Sequence, residues 1–285
     1  MSNDLYSKIN ALYSTFSKGQ KKIADTILKN YDKAAYMTAA KLGELCGVSE
    51  STVVRFAAEL GFDGYQQLQH AMKELVRAKL TPNQRIEVTN QLIGGGDLMS
   101  KVLLSDIEKI KFTLERIDRD AFDSAVERII GARNIYIIGV RASSSLASFL
   151  SYSLNMIFDG VRYVQPTSGS EMFEQILDVS SDDVMIAISF PRYSTKVINA
   201  VKYAKTQGTS VIALTDSRVS PLAEHADCLL TAQSDMASFV DSLVAPLSII
   251  NALIVAIAKE KQEEVAERFD RLEKVWDQYD VYAKH

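Results

Sequence analysis

The chain has 285 residues, which is enough for two domains, and its 47% hydrophobic content is ordinary for a globular protein. It has no apolar run long enough to span a membrane and no signal-peptide pattern, so we expect a cytoplasmic protein. Cys46 and Cys228 lack metal-ligand spacing and are expected to be small core residues, and no metal or cofactor is predicted. The net charge of −4 divides into +3 for residues 1–80 and −7 for the rest, which suits a nucleic-acid-binding head on an acidic body.

Residues 38–64 are the most informative stretch, because they predict two short helices joined by a tight turn. Thr38 and Ser49 are expected to cap these helices, and Gly47 and Gly61 are expected to end them. Apolar residues recur at helical spacing, namely Ala39, Leu42 and Leu45 in the first helix and Val53, Phe56 and Leu60 in the second. The pattern therefore predicts a helix-turn-helix.

The outer face of the second helix carries the candidate DNA contacts. Once its apolar residues are buried, the polar side chains at its start face outward: Ser49, Glu50, Ser51, Thr52 and Arg55. Arginine can bind O6 and N7 of guanine in the major groove, and hydroxyl groups can contact bases or phosphates. Lys22, on the preceding helix, is a candidate phosphate contact, although lysines on helices are more often simply solvated. We therefore favour DNA binding over an ordinary helical hairpin.

This region resembles the N-terminal domain of the RpiR/MurR family of bacterial transcriptional regulators. The matching segments are SKGQKKIA at 17–24, MT at 37–38, Leu42, GVSESTVVRF at 47–56 and LGF at 60–62. Gly43, which is expected where the two helices approach closely, stands where alanine is usual. The resemblance continues over nearly the whole chain, and it implies that a double-stranded DNA operator is a partner.

Composition and breaks in the pattern divide the chain. We predict a helix-turn-helix DNA-binding domain at 1–79, a linker at 80–105, and an effector-binding and oligomerisation domain at 106–285. The glycines at 94–96 are the strongest break. Asp97 and Asp120 are expected to cap two helices at the entrance to the second domain.

From residue 134 onward, short apolar runs alternate with amphipathic helices. This rhythm predicts an α/β domain with a doubly wound parallel sheet of about five strands in flavodoxin-type order. The predicted strands cover 135–138, 161–164, 184–188, 210–214 and 228–230. The predicted helices cover 144–158, 170–178, 194–206, 219–225 and 238–260, and a charged helix then runs to about 282.

Two hydroxyl-rich loops follow the first and third predicted strands, at the edge where open parallel sheets bind ligands. The candidate effector-binding residues are Arg141, Ser143 and Ser144 in one loop, and Ser189, Arg192, Ser194 and Thr195 in the other. Each loop leads into a helix N-terminus, which attracts anions, and each contributes a guanidinium group. The alternatives are ordinary helix capping by Ser143 and Ser194, or structural pairing of the arginines with Asp216 or Glu171.

The second domain resembles the SIS fold, a phosphosugar-binding module with G-x-G-x-S and S-x-S-G-x-T loops. The residues that match these loops are Gly139, Ser143, Ser189 and, in place of threonine, Ser194. Arg141 and Arg192 stand where glycine is usual, and Pro191 replaces a serine. The resemblance implies a pocket at this edge, and these departures leave a phosphosugar, another anion or a sugar acid open as its occupant.

Together these patterns predict a DNA-binding transcriptional regulator, not an enzyme, whose SIS-like domain senses a small anionic metabolite. We expect a homodimer or homotetramer, because one mildly basic head would bind DNA weakly. A phosphosugar isomerase is the alternative from another class, with its base to be sought among Glu171, Glu174, Glu224 and His225. A DNA-binding protein with a non-sensing SIS-like dimerisation domain is a third hypothesis.

Overall fold

The computed structural model describes residues 5–79, 86, 96–165, 168–234 and 240–282. The chain divides into two compact units, Met1–Val88 and Thr89–His285. Most of the linker predicted at 80–105 lies outside the described residues, so its bounds stay a prediction. Within the described ranges, no helix combines the length and the apolar character needed to cross a membrane.

The first unit is helical. Its helices are α1 (Leu5–Leu12), α2 (Lys18–Ala34), α3 (Ala39–Cys46), α4 (Glu50–Glu59) and α5 (Tyr65–Lys79). α1 ends at Leu12, and a 3-10 turn, Tyr13–Thr15, follows it. Ser17 caps α2 through a capping box: its Oγ accepts from the Gln20 N–H at 3.3 Å, and Gln20 Oε1 accepts from the Ser17 N–H at 2.8 Å.

Apolar side chains buried between these helices hold the unit together. Its fully buried side chains include Ile9, Ile23, Ile27, Leu42, Val53, Phe56, Leu68 and Met72. The rings of Phe16 and Phe56 pack edge to face with their centres 5.1 Å apart, which fixes α4 against the start of the chain. Leu45 is 58% exposed, because Cys46, four residues after Leu42, takes the inward position on α3.

The second unit is a parallel sheet covered by helices on both faces. Its strands are β1 (Ile135–Gly139), β2 (Val161–Val164), β3 (Val184–Ile188), β4 (Ser210–Thr215) and β5 (Cys228–Thr231). They are all parallel and lie in the order β2-β1-β3-β4-β5, which confirms the predicted doubly wound, flavodoxin-type sheet. Its helices are α6 (Leu98–Arg116), α7 (Arg119–Gly131), α8 (Ser143–Asn155), α9 (Gly169–Gln175), α10 (Thr195–Thr206), α11 (Val244–Glu260) and α12 (Gln262–Gln278).

The two faces of the sheet have separate cores. Ile137 and Ile186 face a core built with α7, α8 and α11, whereas Tyr136 and Met185 face one built with α9 and α10. Successive residues of a strand point to opposite faces, and here both faces are covered. This is why β1 and β3 are buried at all five positions and why their sequences are continuous apolar runs.

Several helix ends of the second unit differ from the sequence expectations; the helix predicted at 238–260, for example, begins at Val244. Asp97 caps α6 as predicted, but α7 is capped by Asp118, whose Oδ1 accepts from the Ala121 N–H at 3.1 Å. Asp120 lies inside the first turn of α7, so it cannot take the extended backbone of a cap. The helix predicted at 219–225 is wrong, because only a 3-10 turn, Ala223–His225, forms there.

Asp183 ties the amino ends of β1 and β3 together. Its Oδ1 accepts from Arg133 Nε at 3.0 Å and from Asn134 Nδ2 at 2.8 Å, and its Oδ2 accepts from the Ser180 N–H at 2.9 Å. Burial raises the pKa of this carboxyl, but the hydrogen bonds from Arg133, Asn134 and Ser180 outweigh that effect and lower the pKa to about 2. This tie lies at the edge of the sheet opposite the two hydroxyl-rich loops.

Candidate functional site

Helices α3 and α4 form the predicted helix-turn-helix. Thr38 Oγ1 accepts from the Lys41 N–H at 3.2 Å, and Ser49 Oγ accepts from the Thr52 N–H at 3.3 Å, so both expected caps are present. A Cβ on Gly43 would lie 2.8 Å from the carbonyl oxygen of Val48, closer than real Cβ atoms come. α3 therefore packs so closely against the turn at Val48 that position 43 has no room for a side chain.

The outer face of α4 presents the candidate DNA contacts to solvent. Glu50, Ser51 and Arg55 are exposed, and Arg55 Nε donates to the carbonyl oxygen of Ser51 at 3.3 Å. The Ser49 hydroxyl lies 2.9 Å from the Ser51 hydroxyl and 2.8 Å from the Thr52 hydroxyl. Three hydroxyl groups thus cluster at the N-terminus of α4, where free N–H groups favour a phosphate oxygen.

A groove of about 710 Å³ runs beside α4. The residues that line it lie at the start of α2, in the turn before α4 and along α4 to its C-terminal end: Ser17, Gly19, Gln20, Val48, Ser49, Thr52, Arg55, Ala58 and Glu59. Lys22 is exposed on α2, and a Cβ placed on Gly47 would lie 3.9 Å from Lys22 Nζ. The lysine therefore lies beside the turn that precedes α4, and the predicted DNA-contacting residues share one region of the surface.

In the second unit, the two hydroxyl-rich loops emerge side by side at the carboxyl edge of the sheet, and we call the space between them the crevice. Gly139, at the end of β1, is paired with Ile188, at the end of β3. A Cβ on Gly139 would lie 2.6 Å from the carbonyl oxygen of Ser143, so glycine allows α8 to begin directly against the strand. This neighbouring pair of strands is the point at which a doubly wound sheet opens its ligand-binding crevice.

The hydroxyl groups of Ser143 and Ser194 do not cap their helices, contrary to the simplest alternative. α8 begins at Ser143 itself, after Ala142, and Ser194 occupies the cap position of α10 without a side-chain capping bond. The Ser194 N–H instead points toward Ser189 Oγ at 3.5 Å. Both helix N-termini therefore keep backbone N–H groups that no capping side chain satisfies.

Ser144 and Thr195 differ in their surroundings. Ser144 Oγ donates to the carbonyl oxygen of Arg141 at 2.5 Å, which ties the β1 loop to the first turn of α8. Tyr163, on the neighbouring strand β2, donates through its hydroxyl to the carbonyl oxygen of Ser144 at 3.1 Å. Thr195 is exposed at the first position of α10. Ser144 therefore shapes the loop, while Thr195 stays open to solvent.

The two arginines of the crevice loops are exposed and have unusual backbones. Arg141 has a φ of 56° and Arg192 a φ of 65°, which is the left-handed region that glycine adopts freely. Within the described residues, neither guanidinium group forms a hydrogen bond or ion pair. Asp216 bonds to Tyr193 and Thr215, and Glu171 caps α9 with Ser168, so the expected alternative pairing is wrong.

Asp216 and Tyr193 lie beside the crevice, and the sequence patterns selected neither of them as an effector-binding residue. Asp216 directly follows β4, and Tyr193 lies between Arg192 and Ser194 in the β3 loop. The Tyr193 hydroxyl donates to Asp216 Oδ1 at 2.8 Å. The one signal in the sequence was its position, since Asp216 follows a strand that ends at the same edge of the sheet as the two loops.

The described residues contain no group of three or more histidine, cysteine, aspartate or glutamate side chains arranged to hold a metal ion. Cys46 and Cys228 are both buried and unpaired, as expected for small core residues.

Comparisons with known proteins agree with this architecture. Residues 3–79 match the helix-turn-helix domain of the rpiR family, and residues 128–256 match the SIS domain. An uncharacterized HTH-type transcriptional regulator of Haemophilus influenzae is 27% identical over 271 residues, which cover 93% of each chain. The HTH-type transcriptional regulator HexR of Pseudomonas aeruginosa is 24% identical over 89% of each chain.

Solved structures extend the likeness to the fold. The sugar isomerase domain of an RpiR transcription factor from Sphaerobacter thermophilus is 30% identical, with a TM-score of 0.58, over 61% of this chain and 97% of that one. NanR of Vibrio vulnificus, in complex with ManNAc-6P, is 24% identical, with a TM-score of 0.60, over 98% of this chain and all of that one. The chain belongs to the RpiR family of transcriptional regulators, with a DNA-binding helix-turn-helix domain and a SIS domain.

Proposed function

We propose that this regulator senses a small anionic metabolite, a phosphosugar or a sugar acid, in the crevice and that this ligand modulates operator binding. The observation that carries the proposal is the left-handed backbone of Arg141 and Arg192, with φ of 56° and 65°. Holding a non-glycine residue in this region costs on the order of 1–3 kcal/mol, and such residues cluster at functional sites. Two arginines with an energetically unfavourable backbone conformation follow neighbouring strands, and an anion that both of them contact is the best explanation for that conformation.

Electrostatics support an anion at this place. Neither α8 nor α10 has a side-chain cap at its N-terminus, and a helix N-terminus carries about half a positive charge. Two guanidinium groups without an ion pair within the described residues add to this positive potential. Ser143, Ser189 and Ser194 supply hydroxyl groups, and we propose that Ser144 and Thr195 line the same site.

The solved relatives suggest which compounds to test first. NanR of Vibrio vulnificus shares the fold and was solved with ManNAc-6P, a phosphorylated amino sugar. Arg141, Pro191 and Arg192 distinguish this chain from the usual SIS loops, so its ligand need not be the same compound. Hexose phosphates and sugar acids are therefore the ligand classes for a first screen.

On the DNA side, we propose that α4 reads the operator. Arg55 is exposed with its guanidinium group near the start of the helix, where it would reach a guanine in the major groove. The hydroxyl cluster of Ser49, Ser51 and Thr52 would hold a phosphate or a base edge, and Glu50 would accept from a cytosine amino group. Lys22, beside the turn, would contact a phosphate and add affinity without sequence preference.

We propose sensing and not turnover as the role of the crevice. The Glu171 carboxylate accepts from the Ser168 N–H in the capping box of α9, so it is already engaged in a structural bond. Glu174 and Glu224 are exposed to solvent. None of these observations favours a base poised for proton transfer, and an assay for aldose–ketose turnover would test the point directly.

The direct experiment couples the two sites. Isothermal titration would measure ligand binding, and fluorescence anisotropy would measure operator binding with and without ligand. We expect the ligand to change operator affinity by a coupling free energy on the order of 1–3 kcal/mol, and the operator to change ligand affinity by the same factor. A ligand that binds without altering operator affinity would contradict the proposed regulation.

A further inference from the structure

The carboxylate of Asp216 is half satisfied. The residue is 8% exposed, and its Oδ1 accepts from the Tyr193 hydroxyl at 2.8 Å and from the Thr215 hydroxyl at 3.1 Å. Its Oδ2 is buried and has no hydrogen-bond partner, the one such side-chain atom within the described residues. Leaving a buried polar atom unsatisfied destabilises the folded protein, and more so when the group is charged. Asp216 Oδ2 is therefore available to accept a hydrogen bond.

This free oxygen belongs to a residue at the edge of the crevice. β3 and β4 are paired, with Ile188 opposite Leu214, and the Ser189 N–H donates to the carbonyl oxygen of Leu214 at 3.1 Å. Ser189 and Thr215 thus lie side by side, and Asp216 is one residue further. The Tyr193 bond joins Asp216 to the loop that also carries Arg192, so the carboxylate and the guanidinium group lie on connected segments.

A carboxylate beside an anion site narrows the chemistry of the ligand. It repels a second negative charge, and it accepts hydrogen bonds but cannot donate them while ionised. The group that satisfies Oδ2 must therefore be a donor. A sugar carries hydroxyl groups a few bonds from its phosphate or carboxylate. Inorganic phosphate carries its P–OH on the anionic group itself, and a simple carboxylate has no hydroxyl group, so neither places a donor at that distance from the charge.

We propose that Asp216 is a specificity-determining residue: its free Oδ2 accepts a hydrogen bond from an effector hydroxyl group, which selects polyhydroxylated anions over simple ones. This inference rests on the anion site proposed above and adds the residue that distinguishes a sugar from its anionic group alone. Because Oδ2 is shielded from solvent, the atoms that cover it must move before a ligand hydroxyl group can reach it.

The test compares sugar and anion in matched variants of the full chain. Isothermal titration with glucose 6-phosphate, N-acetylmannosamine 6-phosphate, 6-phosphogluconate and inorganic phosphate gives the preference of each variant for its best sugar ligand over phosphate. Asp216→Asn replaces the free acceptor with a donor of the same shape. Tyr193→Phe is the control, because it removes a bond to Oδ1 and leaves Oδ2 unchanged. Thermal melting establishes that each variant is folded.

We expect Asp216→Asn to reduce the preference for sugar about 10- to 100-fold, the value of one hydrogen bond to a charged group, while phosphate affinity changes little. Tyr193→Phe should keep the preference. The inference is overturned if Asp216→Asn retains it, if Tyr193→Phe loses it equally, or if no sugar binds the wild type more tightly than phosphate. Should Asp216→Asn fail to fold, Asp216→Ser tests the same oxygen with the same expected result.

Arg192→Gly separates this inference from the proposed function. If that variant loses affinity for sugar and phosphate alike while Asp216→Asn keeps its preference, the anion site stands and the role of Asp216 fails. If Arg192→Gly changes neither affinity, the anion site itself fails, and the inference falls with it.

Discussion

Arg141 and Arg192 share a left-handed backbone, with φ of 56° and 65°, in the loops that follow the paired strands β1 and β3. Both residues replace the glycine of the SIS loop pattern, and both keep the conformation that glycine would supply. Replacement of the two glycines by arginine therefore leaves the left-handed backbone conformation at these positions unchanged. It adds a guanidinium group to each at the cost of local strain.

Arg55 and Lys22 should affect DNA binding in different ways. Arg55→Ala should weaken binding to the operator by about 1–3 kcal/mol while changing affinity for random DNA little, because a base contact carries sequence information. Lys22→Ala should weaken both alike and reduce the salt dependence of binding, because it removes a phosphate contact. Fluorescence anisotropy with operator and scrambled duplexes at several salt concentrations measures both effects. Equal losses on both duplexes for Arg55→Ala would exclude base reading.

Asp183 should make the stability of the second unit depend on acid pH. Its folded pKa of about 2 lies below the ordinary value of 3.8, so its contribution is complete above pH 4 and is lost as the pH falls toward 2. The shift corresponds to about 2 kcal/mol at neutral pH. Urea unfolding followed by fluorescence of Trp276, the single tryptophan, should show Asp183→Asn less stable by about that amount at pH 7.

The neighbouring Asp182 provides the control for this experiment. It is exposed, so Asp182→Asn should unfold at nearly the wild-type urea concentration. The difference between the Asp183 variant and wild type should shrink as the pH is lowered to 3. A difference that stays constant with pH would show that packing of the side chain, and not its charge, stabilises the sheet.

The exposed apolar face of α6 should mediate self-association. Leu98, Met99, Leu103, Leu104 and Leu114 are each more than half exposed, which is unusual for one helix of a monomer. We expect the full-length protein to sediment as a dimer or larger, because two DNA-binding heads gain from a high effective concentration on a palindromic operator. Leu104→Lys should shift this equilibrium toward monomer and weaken operator binding, whereas Lys101→Ala on the same helix should not. A monomeric wild type would refute the proposal.

The strands of the second unit were predictable because buried strands of a parallel sheet are short apolar runs. β3 has the predicted ends, since a buried parallel strand is an uninterrupted apolar run. β2 also has the predicted ends, although Arg162 interrupts it and only Val164 is fully buried. The cap of α7 was misplaced because Asp118 and Asp120 are equally good capping residues, and only the path of the preceding chain distinguishes them. Capping preference depends on residue type, so it cannot predict the course of the preceding chain.

The site was predictable in position but not in detail. Strand ends indicate where the crevice opens, so Ser143 and Ser189 could be found from sequence. The backbone of Arg192 could not be predicted from the residue itself, because arginine normally avoids positive φ; the one sign was the glycine that the SIS loop pattern has at this position. The half-satisfied carboxylate of Asp216 depends on a bond to Tyr193, 23 residues earlier, which no local pattern encodes.

Two substitutions of Arg192 distinguish the effect of its charge on ligand binding from the effect of its backbone conformation on stability. Arg192→Gly and Arg192→Ala both remove the guanidinium group, so both should lower effector affinity by roughly one to two orders of magnitude, the value of one charge-assisted contact. Glycine adopts positive φ without penalty whereas alanine does not, so Arg192→Gly should be at least as stable as Arg192→Ala despite its more flexible unfolded chain. Isothermal titration and urea unfolding measure the two quantities independently. Operator affinity without ligand should stay near the wild-type value in both variants, because the substituted loop belongs to the other unit. If both variants keep full effector affinity, the strained arginine serves the loop and not the ligand; if only Arg192→Ala loses it, the shape of the loop matters more than the charge.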